Sequence, residues 1–379
     1  MLPQKLPQFS LQYLESEQQV ARDGLYTLSQ HKYKSGVYTP LDLLFYKIWW
    51  TPVSNLVPAW MAPNLITFIG FAVTLSNIPL MVYYNPHFDQ PLPSWVLAYA
   101  GFTVFFYLTM DAIDGMQARK TKSSSPLGQL FDHGCDCAIT TVFAILMTNA
   151  LGLHGSSLYV IAFIAGVQVT FFLSQWEEKY TGVCRTSVGG LFGVTEAQLM
   201  LCSQMFISAW NPDVVNMVVF NNLTYTECYM IFYFSFMVLV STWSIAVNLY
   251  RSPSSWVELV SIVSLNLGVF MWSYLTGIRT DLLWLAALLL AFCNSFSTIR
   301  VIVSSMTHTE FPLWQPVAFP YYMILAGVTV FGQGKWLQLA LAIYFGGMMQ
   351  YMITTLVKVT SEISAYLGIF VFNITQKRV

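Results

Sequence analysis

Long runs of apolar residues, separated by short polar breaks, are the first pattern along the chain. Ten of them approach bilayer-crossing length, at roughly 65–84, 95–113, 133–152, 157–176, 194–210, 228–249, 256–275, 281–300, 317–332 and 336–357. A helix needs about 20 mostly apolar residues to cross the hydrocarbon core, and the fifth and ninth runs are the shortest of the set. The breaks carry turn residues, as in NPHFDQPLPS (85–94), GLHGSS (152–157) and RSPSS (251–255). No internal repeat or low-complexity tract divides the series. The pattern predicts an all-α, polytopic integral membrane protein with about ten transmembrane helices in one membrane domain.

Residues 1–64 differ from the rest of the chain. The segment YTPLDLLFYKIWWTPVSNLVPAWMAPN (38–64) mixes apolar, aromatic and proline residues without a clean spanning run. It predicts an amphipathic helix lying in the interface, with Trp49, Trp50 and Trp60 at headgroup depth. Such a helix either anchors the chain or shapes a nearby site. The first 40 residues are polar and lack the apolar core of a signal peptide, so the first span is expected to direct insertion.

Composition agrees with the pattern. Charged residues make up 9% of the chain and hydrophobic ones 56%, where a soluble domain carries about 25% charged. A net charge of −1 gives no reason to expect nucleic-acid binding, which needs clustered basic residues. The six cysteines show no metal-type pairing and read as free thiols. Charge position adds topology: with the N-terminus in the cytoplasm, all seventeen Lys and Arg except Arg279 and Lys335 fall on the cytoplasmic side. Asn222 is then the lumenal one of two Asn-x-Thr sequons, and Asn373 the cytoplasmic one. Glu177 and Glu178 read as solvated loop charges.

One stretch breaks the apolar rule. DAIDGMQARKTKSSSPLGQLFDHGCD (111–136) holds Asp111 and Asp114 at i and i+3, then Asp132 and Asp136 at i and i+4. Each pair projects from one helix face, and a short connection brings the two helices together. Four carboxylates at low dielectric repel one another unless a cation lies between them. All-oxygen ligation suits Mg²⁺ or Mn²⁺, and two ions would balance the four charges for phosphoryl chemistry. Gly115 and Ala118 remove bulk beside the first pair, while Arg119 offers a fork for phosphate. The connection adds Lys122, three serines and a Pro-x-Gly turn ending at Gly128, which suits a diphosphate substrate. Clustered aspartates would also serve a divalent cation transporter, although transporter sites lie near the midplane rather than at one edge.

The segment reads D-x2-D-G-x2-A-R-x8-G-x3-D-x3-D without a gap, and with this signature the chain resembles the CDP-alcohol phosphotransferases. The stretches LSQHKYKSGVYTPLD (28–42), APNLITFIG (62–70) and GVTEAQ (193–198) are similar to the eukaryotic choline/ethanolamine branch. The resemblance implies an enzyme that moves phosphocholine or phosphoethanolamine from CDP-choline or CDP-ethanolamine to diacylglycerol, releasing CMP. A same-signature enzyme with another head group, such as inositol, is the nearer alternative. It implies that Asp111, Asp114, Asp132 and Asp136 hold two Mg²⁺ or Mn²⁺ ions. Arg119 would grip a phosphate, and Asn64 with Gly115, Ala118, Lys122 and Gly128 would line the nucleotide pocket. The acceptor proton would go to Asp136 or to His133, the latter working with Glu196. Residues 65–250 would form a catalytic core of about six helices, and 251–379 further helices for dimerisation or lipid access. A homodimer in the endoplasmic reticulum or Golgi, with its active site facing the cytoplasm, is the implied setting.

Overall fold

Local chemistry sets most helix ends in the computed structural model, which describes residues 22–311 and 318–374. Residues 1–21, the start of the ninth run and Lys377 lie outside the described residues. After α1 (Arg22–Gln30), Thr39 opens α2 (Pro40–Phe45) with a capping box: its hydroxyl accepts from Asp42 N–H, and its own N–H donates back to the Asp42 carboxylate at 2.8 Å. α2 runs through a π-helical turn (Tyr46–Trp50) into α3 (Thr51–Leu56), so the expected interfacial segment is helical. Its tryptophans divide. Trp49 is exposed, but its indole N–H donates to Thr109 at 3.1 Å; Trp50 is buried against Ile66, Leu108 and Ile113; and Trp60 is exposed beyond the helix. The segment is therefore packed onto the second span, and Trp50 serves the protein core.

The spans follow as α4 (Pro63–Leu75) with α5 (Asn77–Tyr84), then α6 (Ser94–Lys120), α7 (Pro126–Ala150) and α8 (Ser157–Thr181). A hairpin of β1 (Ser187–Val188) and β2 (Phe192–Gly193) leads into α9 (Val194–Trp210). A second hairpin, β3 (Val218–Phe220) and β4 (Leu223–Thr224), carries Asn222 in its exposed turn with φ 67. The chain ends in α10 (Tyr225–Arg251), α11 (Leu259–Thr276), α12 (Thr280–Thr307), α13 (Phe319–Phe331) and α14 (Lys335–Leu367). Among the described residues, 8 helical segments are long and apolar enough to cross a membrane. The fifth and ninth runs fold as α9, of 17 residues, and α13, of 13, and are too short to join that set. The protein is an integral membrane protein by these helices.

The spans are not equivalent. α12 is 78% buried within the protein and packs on α7, α8 and α14, whereas the spans of α10 and α14 are only 11% buried. With no hydrophobic drive between helices in lipid, inner helices hold together through packing and polar contacts. Asn266 and Asn294, both buried, bond each other between α11 and α12 at 2.9 Å. One apolar core runs from Met81 in α5 to Met348 in α14, so the C-terminal helices share it with the first ones.

Candidate active site

α6 and α7 overrun the apolar runs that announced them, and this overrun makes the site. α6 continues to Lys120, past the apolar limit near 113, and α7 begins at Pro126, ahead of 133. Ser125 caps α7 by accepting from Gly128 N–H at 3.1 Å, and Pro126 supplies a preset first turn. The expected Pro-x-Gly turn is thus the opening turn of a helix. At about 1.5 Å rise per residue, Asp114 lies roughly 9 Å inside the end of α6, and Asp132 a similar depth inside the start of α7.

There the carboxylates meet. Asp111, Asp114 and Asp132 each bring an oxygen within 4.8 Å of the others. Asp114 accepts a hydrogen bond from Thr67 on α4. Gly70 allows that approach, because a Cβ there would stand 2.8 Å from the Met110 Cβ on α6. Asp136 accepts from the Tyr107 hydroxyl at 2.7 Å. Asp132 Oδ1 is buried and has no hydrogen-bond partner among the described residues. Two like charges about 4 Å apart cost on the order of 4 kcal/mol at an effective dielectric of 20. A cluster of hard oxygens with one atom left unsatisfied fits a divalent cation, so these residues can bind metal.

The surrounding residues divide by what they touch. The exposed Arg119 folds back so that its Nη1 is the nearest group to the space above Gly115; a Cβ there would meet it at 3.4 Å. Ala118 is part-buried on the next position of α6, and Lys122 is exposed in a left-handed turn with φ 55. Lys120 instead bonds the Ser54 and Val57 carbonyls at 3.2 and 3.0 Å, closing the end of α3. Asn64 sits beside Gly128, and its amide donates to Val371 O at 2.9 Å. Phe372 follows, packed edge-on against Phe68 and Phe131, so residues 371 and 372 lie against α4 and α7 beside the residue before Asp132.

His133, one residue beyond Asp132, turns away into a second buried cluster. Its Nδ1 lies 3.0 Å from the Gln175 amide oxygen, and Tyr33 meets its ring edge-on at 5.8 Å. Ligand-type atoms of Glu178 and Cys184 lie with a His133 nitrogen within 4.8 Å of one another. Burial, aided by the Glu178 charge, pushes the Cys184 thiol up, and burial is likewise the main cause that raises the Tyr33 hydroxyl. Glu196 is not a member of that cluster. Its carboxylate accepts from Gly193 N–H at 2.8 Å at the start of α9. It also borders a cavity of about 390 Å³, lined by Leu41, Phe192, Met200 and Tyr225 among others.

Residues 60–233 match the family model described as CDP-alcohol phosphatidyltransferase. Choline/ethanolaminephosphotransferase 2 of Arabidopsis thaliana is 32% identical over 283 residues, covering 68% of this chain and 71% of that protein. Ethanolaminephosphotransferase 1 of Homo sapiens is 27% identical over 394 residues, covering 94% of each chain. Cholinephosphotransferase 1 of Mus musculus is 36% identical over 189 residues, covering 48% of this chain and 45% of that protein. The chain belongs to the CDP-alcohol phosphatidyltransferase family. It is a transferase of phospholipid synthesis, and the transporter alternative falls with that membership.

The end of α8 corrects a further sequence expectation. Glu177 and Glu178 are not solvated: each is 5% exposed, because α8 runs on to Thr181 and turns them inward. Glu177 accepts from Arg185 with both carboxylate oxygens, at 3.0 and 2.8 Å, and Glu178 accepts from Gln129 at 2.9 Å. Thr67, Tyr107, Gln175 and Cys184 escaped the sequence reading. Spacing held a signal for some of them. Thr67 stands at i+3 from Asn64, Tyr107 at i−4 from Asp111, and Gln175 at i−3 from Glu178, each sharing a helix face with a neighbour in the site. Cys184 reaches the cluster from a loop, which no helical period marks.

Proposed function

We propose that the chain transfers phosphocholine or phosphoethanolamine from CDP-choline or CDP-ethanolamine to the hydroxyl of diacylglycerol, releasing CMP. The observation that carries this is the convergence of Asp111, Asp114 and Asp132 within 4.8 Å, one oxygen lacking any partner among the described residues. Those three with Asp136 would hold two Mg²⁺ or Mn²⁺ ions, which supply neutralising charge to the bound diphosphate. Arg119 and Lys122, both exposed at the end of α6, are suited to hold phosphate oxygens as the donor arrives from water. Asn64, Gly115, Ala118 and Gly128 form the adjoining wall for the nucleotide. The acceptor oxygen attacks the phosphorus that carries the alcohol, and the bond from that phosphorus to the CMP oxygen breaks.

His133 takes the acceptor proton, its ring oriented by Gln175. Asp136 is less free for this work, because Tyr107 already bonds one of its oxygens. Glu196, at the edge of an apolar cavity, supports the acceptor side of the reaction, and that cavity is suited to an acyl chain. In this reading residues 65–250 carry catalysis, while 251–379 serve lipid access or dimerisation. The setting is a homodimer in the endoplasmic reticulum or Golgi with the site facing the cytoplasm; cross-linking and fractionation test those points. The central test is purified protein with diacylglycerol, Mg²⁺ and a panel of CDP-alcohols. CMP release with CDP-choline or CDP-ethanolamine is expected, and release with CDP-inositol-type donors alone would overturn the head-group assignment.

A further inference from the structure

Two donor sets adjoin on α7, carried by consecutive residues. Asp132 belongs to an all-oxygen cluster, and its neighbour His133 belongs to one of nitrogen, oxygen and sulfur. His133, Glu178 and Cys184 are 7%, 5% and 4% exposed and come from α7, α8 and the loop after it. Mixed ligands of this kind disfavour Mg²⁺ and favour Zn²⁺. Tetrahedral Zn²⁺ with bonds of about 2.0–2.3 Å sets its ligands roughly 3.3–3.8 Å apart, so a contraction of at most about 1–1.5 Å would close the site. Charge also balances: a carboxylate, a thiolate and a neutral imidazole match a divalent ion, with the Cys184 proton released to solvent.

The outer contacts fit as well. Gln129 donates to Glu178 at 2.9 Å and is itself bonded to His31 at 2.9 Å. Gln175 bonds His133 Nδ1 and lies 3.9 Å from the Cys184 sulfur. Ligands in metal sites are commonly oriented by such second partners.

We propose that His133, Glu178 and Cys184 form a Zn²⁺ site distinct from the carboxylate site, whose occupancy withdraws His133 from the reaction and inhibits transfer. The inhibitory half rests on His133 acting as the base; the binding half does not.

Cobalt is the probe. Full-length protein, saturated with Mg²⁺ to fill the carboxylate site, is titrated with Co²⁺ and then Zn²⁺. A thiolate-to-cobalt charge-transfer band should rise, saturate near one equivalent and disappear as Zn²⁺ displaces Co²⁺. The band should be lost in Cys184→Ser and kept in Cys135→Ser. Should Cys184→Ser fail to fold, Glu178→Gln serves instead, with cobalt affinity expected to fall at least about tenfold. A folded wild type without the band overturns the site, as does a band that survives Cys184→Ser.

In parallel, Zn²⁺ inhibition of CMP release is measured against each variant's own zinc-free rate. The half-inhibitory Zn²⁺ concentration should rise at least about tenfold in Cys184→Ser. Equal zinc sensitivity in both proteins overturns the inhibitory role. Wild type that releases no CMP from any CDP-alcohol sinks the functional reading, while the cobalt band still decides the metal site.

Discussion

Charge enters this apolar chain in two places, and the two are built on opposite principles. At the end of α8 the charges are matched within the protein: Glu177 pairs with Arg185 at 2.8 Å and Lys179 with Glu258 at 2.6 Å, while Glu178 accepts from the Gln129 amide. Where α6 meets α7, three aspartates converge and the Asp132 oxygen has no partner among the described residues. The first arrangement is complete within the protein and holds α8 to the loop and to the start of α11. The second is complete only with something cationic from outside. Buried acids that are matched read as architecture; acids left in excess read as a site.

That contrast is sharpest in what removal does. Asp111→Ala, Asp114→Ala, Asp132→Ala and Asp136→Ala should each lower CMP release on the order of 10²-fold or more, to background in most assays. Protein abundance and melting temperature in the membrane should hold or rise, since removal relieves repulsion. Chelation should reproduce the loss in the wild type, and added Mg²⁺ or Mn²⁺ should restore it. Normal turnover in any one variant would sink the metal assignment.

Glu177→Ala should do the reverse. It leaves the part-buried Arg185 guanidinium with Ser244 alone, a loss expected to cost less than the ~3–5 kcal/mol of a fully buried unpaired charge. The expected readout is a lowered melting temperature, with any surviving folded enzyme turning over at a near-normal rate per molecule. Removing both partners should recover part of the stability, because no charge is then left alone. A Glu177→Ala enzyme that is stable but inactive would move this pair from architecture to chemistry.

His133→Ala lies between the two regions and should separate binding from transfer. CDP-alcohol binding, read by equilibrium titration, is expected to persist, while CMP release falls on the order of 10²–10⁴-fold. Parallel loss of both would make His133 a structural residue of the Gln175 and Glu178 cluster.

The sequence made the unmatched region legible and hid the matched one, for a physical reason. Four aspartates at helical spacing stand out against apolar runs, and three of them, Asp111, Asp114 and Asp132, converge as periodicity predicts. The Glu177–Arg185 pair is formed by a chain reversal after Gly182, whose left-handed backbone ends α8. No period links a helix to the loop that folds back on it, so Glu177 and Glu178 looked solvated and Cys184 looked idle. Helix number was legible only to the precision of hydropathy: the runs that became α9 and α13 were visible as apolar but too short to rank with the other spans. The overrun of α6 and α7 was hidden because polar residues that continue a helix resemble those that end one.

The smallest effects should come from residues that orient the aspartates without being ligands. Tyr107→Phe removes only the hydroxyl that bonds Asp136, and Thr67→Val removes only the one that bonds Asp114. Neither changes the charge of the cluster, so the metal should still bind. An unheld carboxylate samples more orientations, and weakening of about 10–100-fold is typical when such a partner is lost. The loss should appear as a raised Mg²⁺ requirement, with turnover approaching the wild-type rate at saturating metal. A drop in maximal turnover that extra Mg²⁺ cannot recover would mean that these hydroxyls touch substrate, and the boundary of the site would have to be drawn wider.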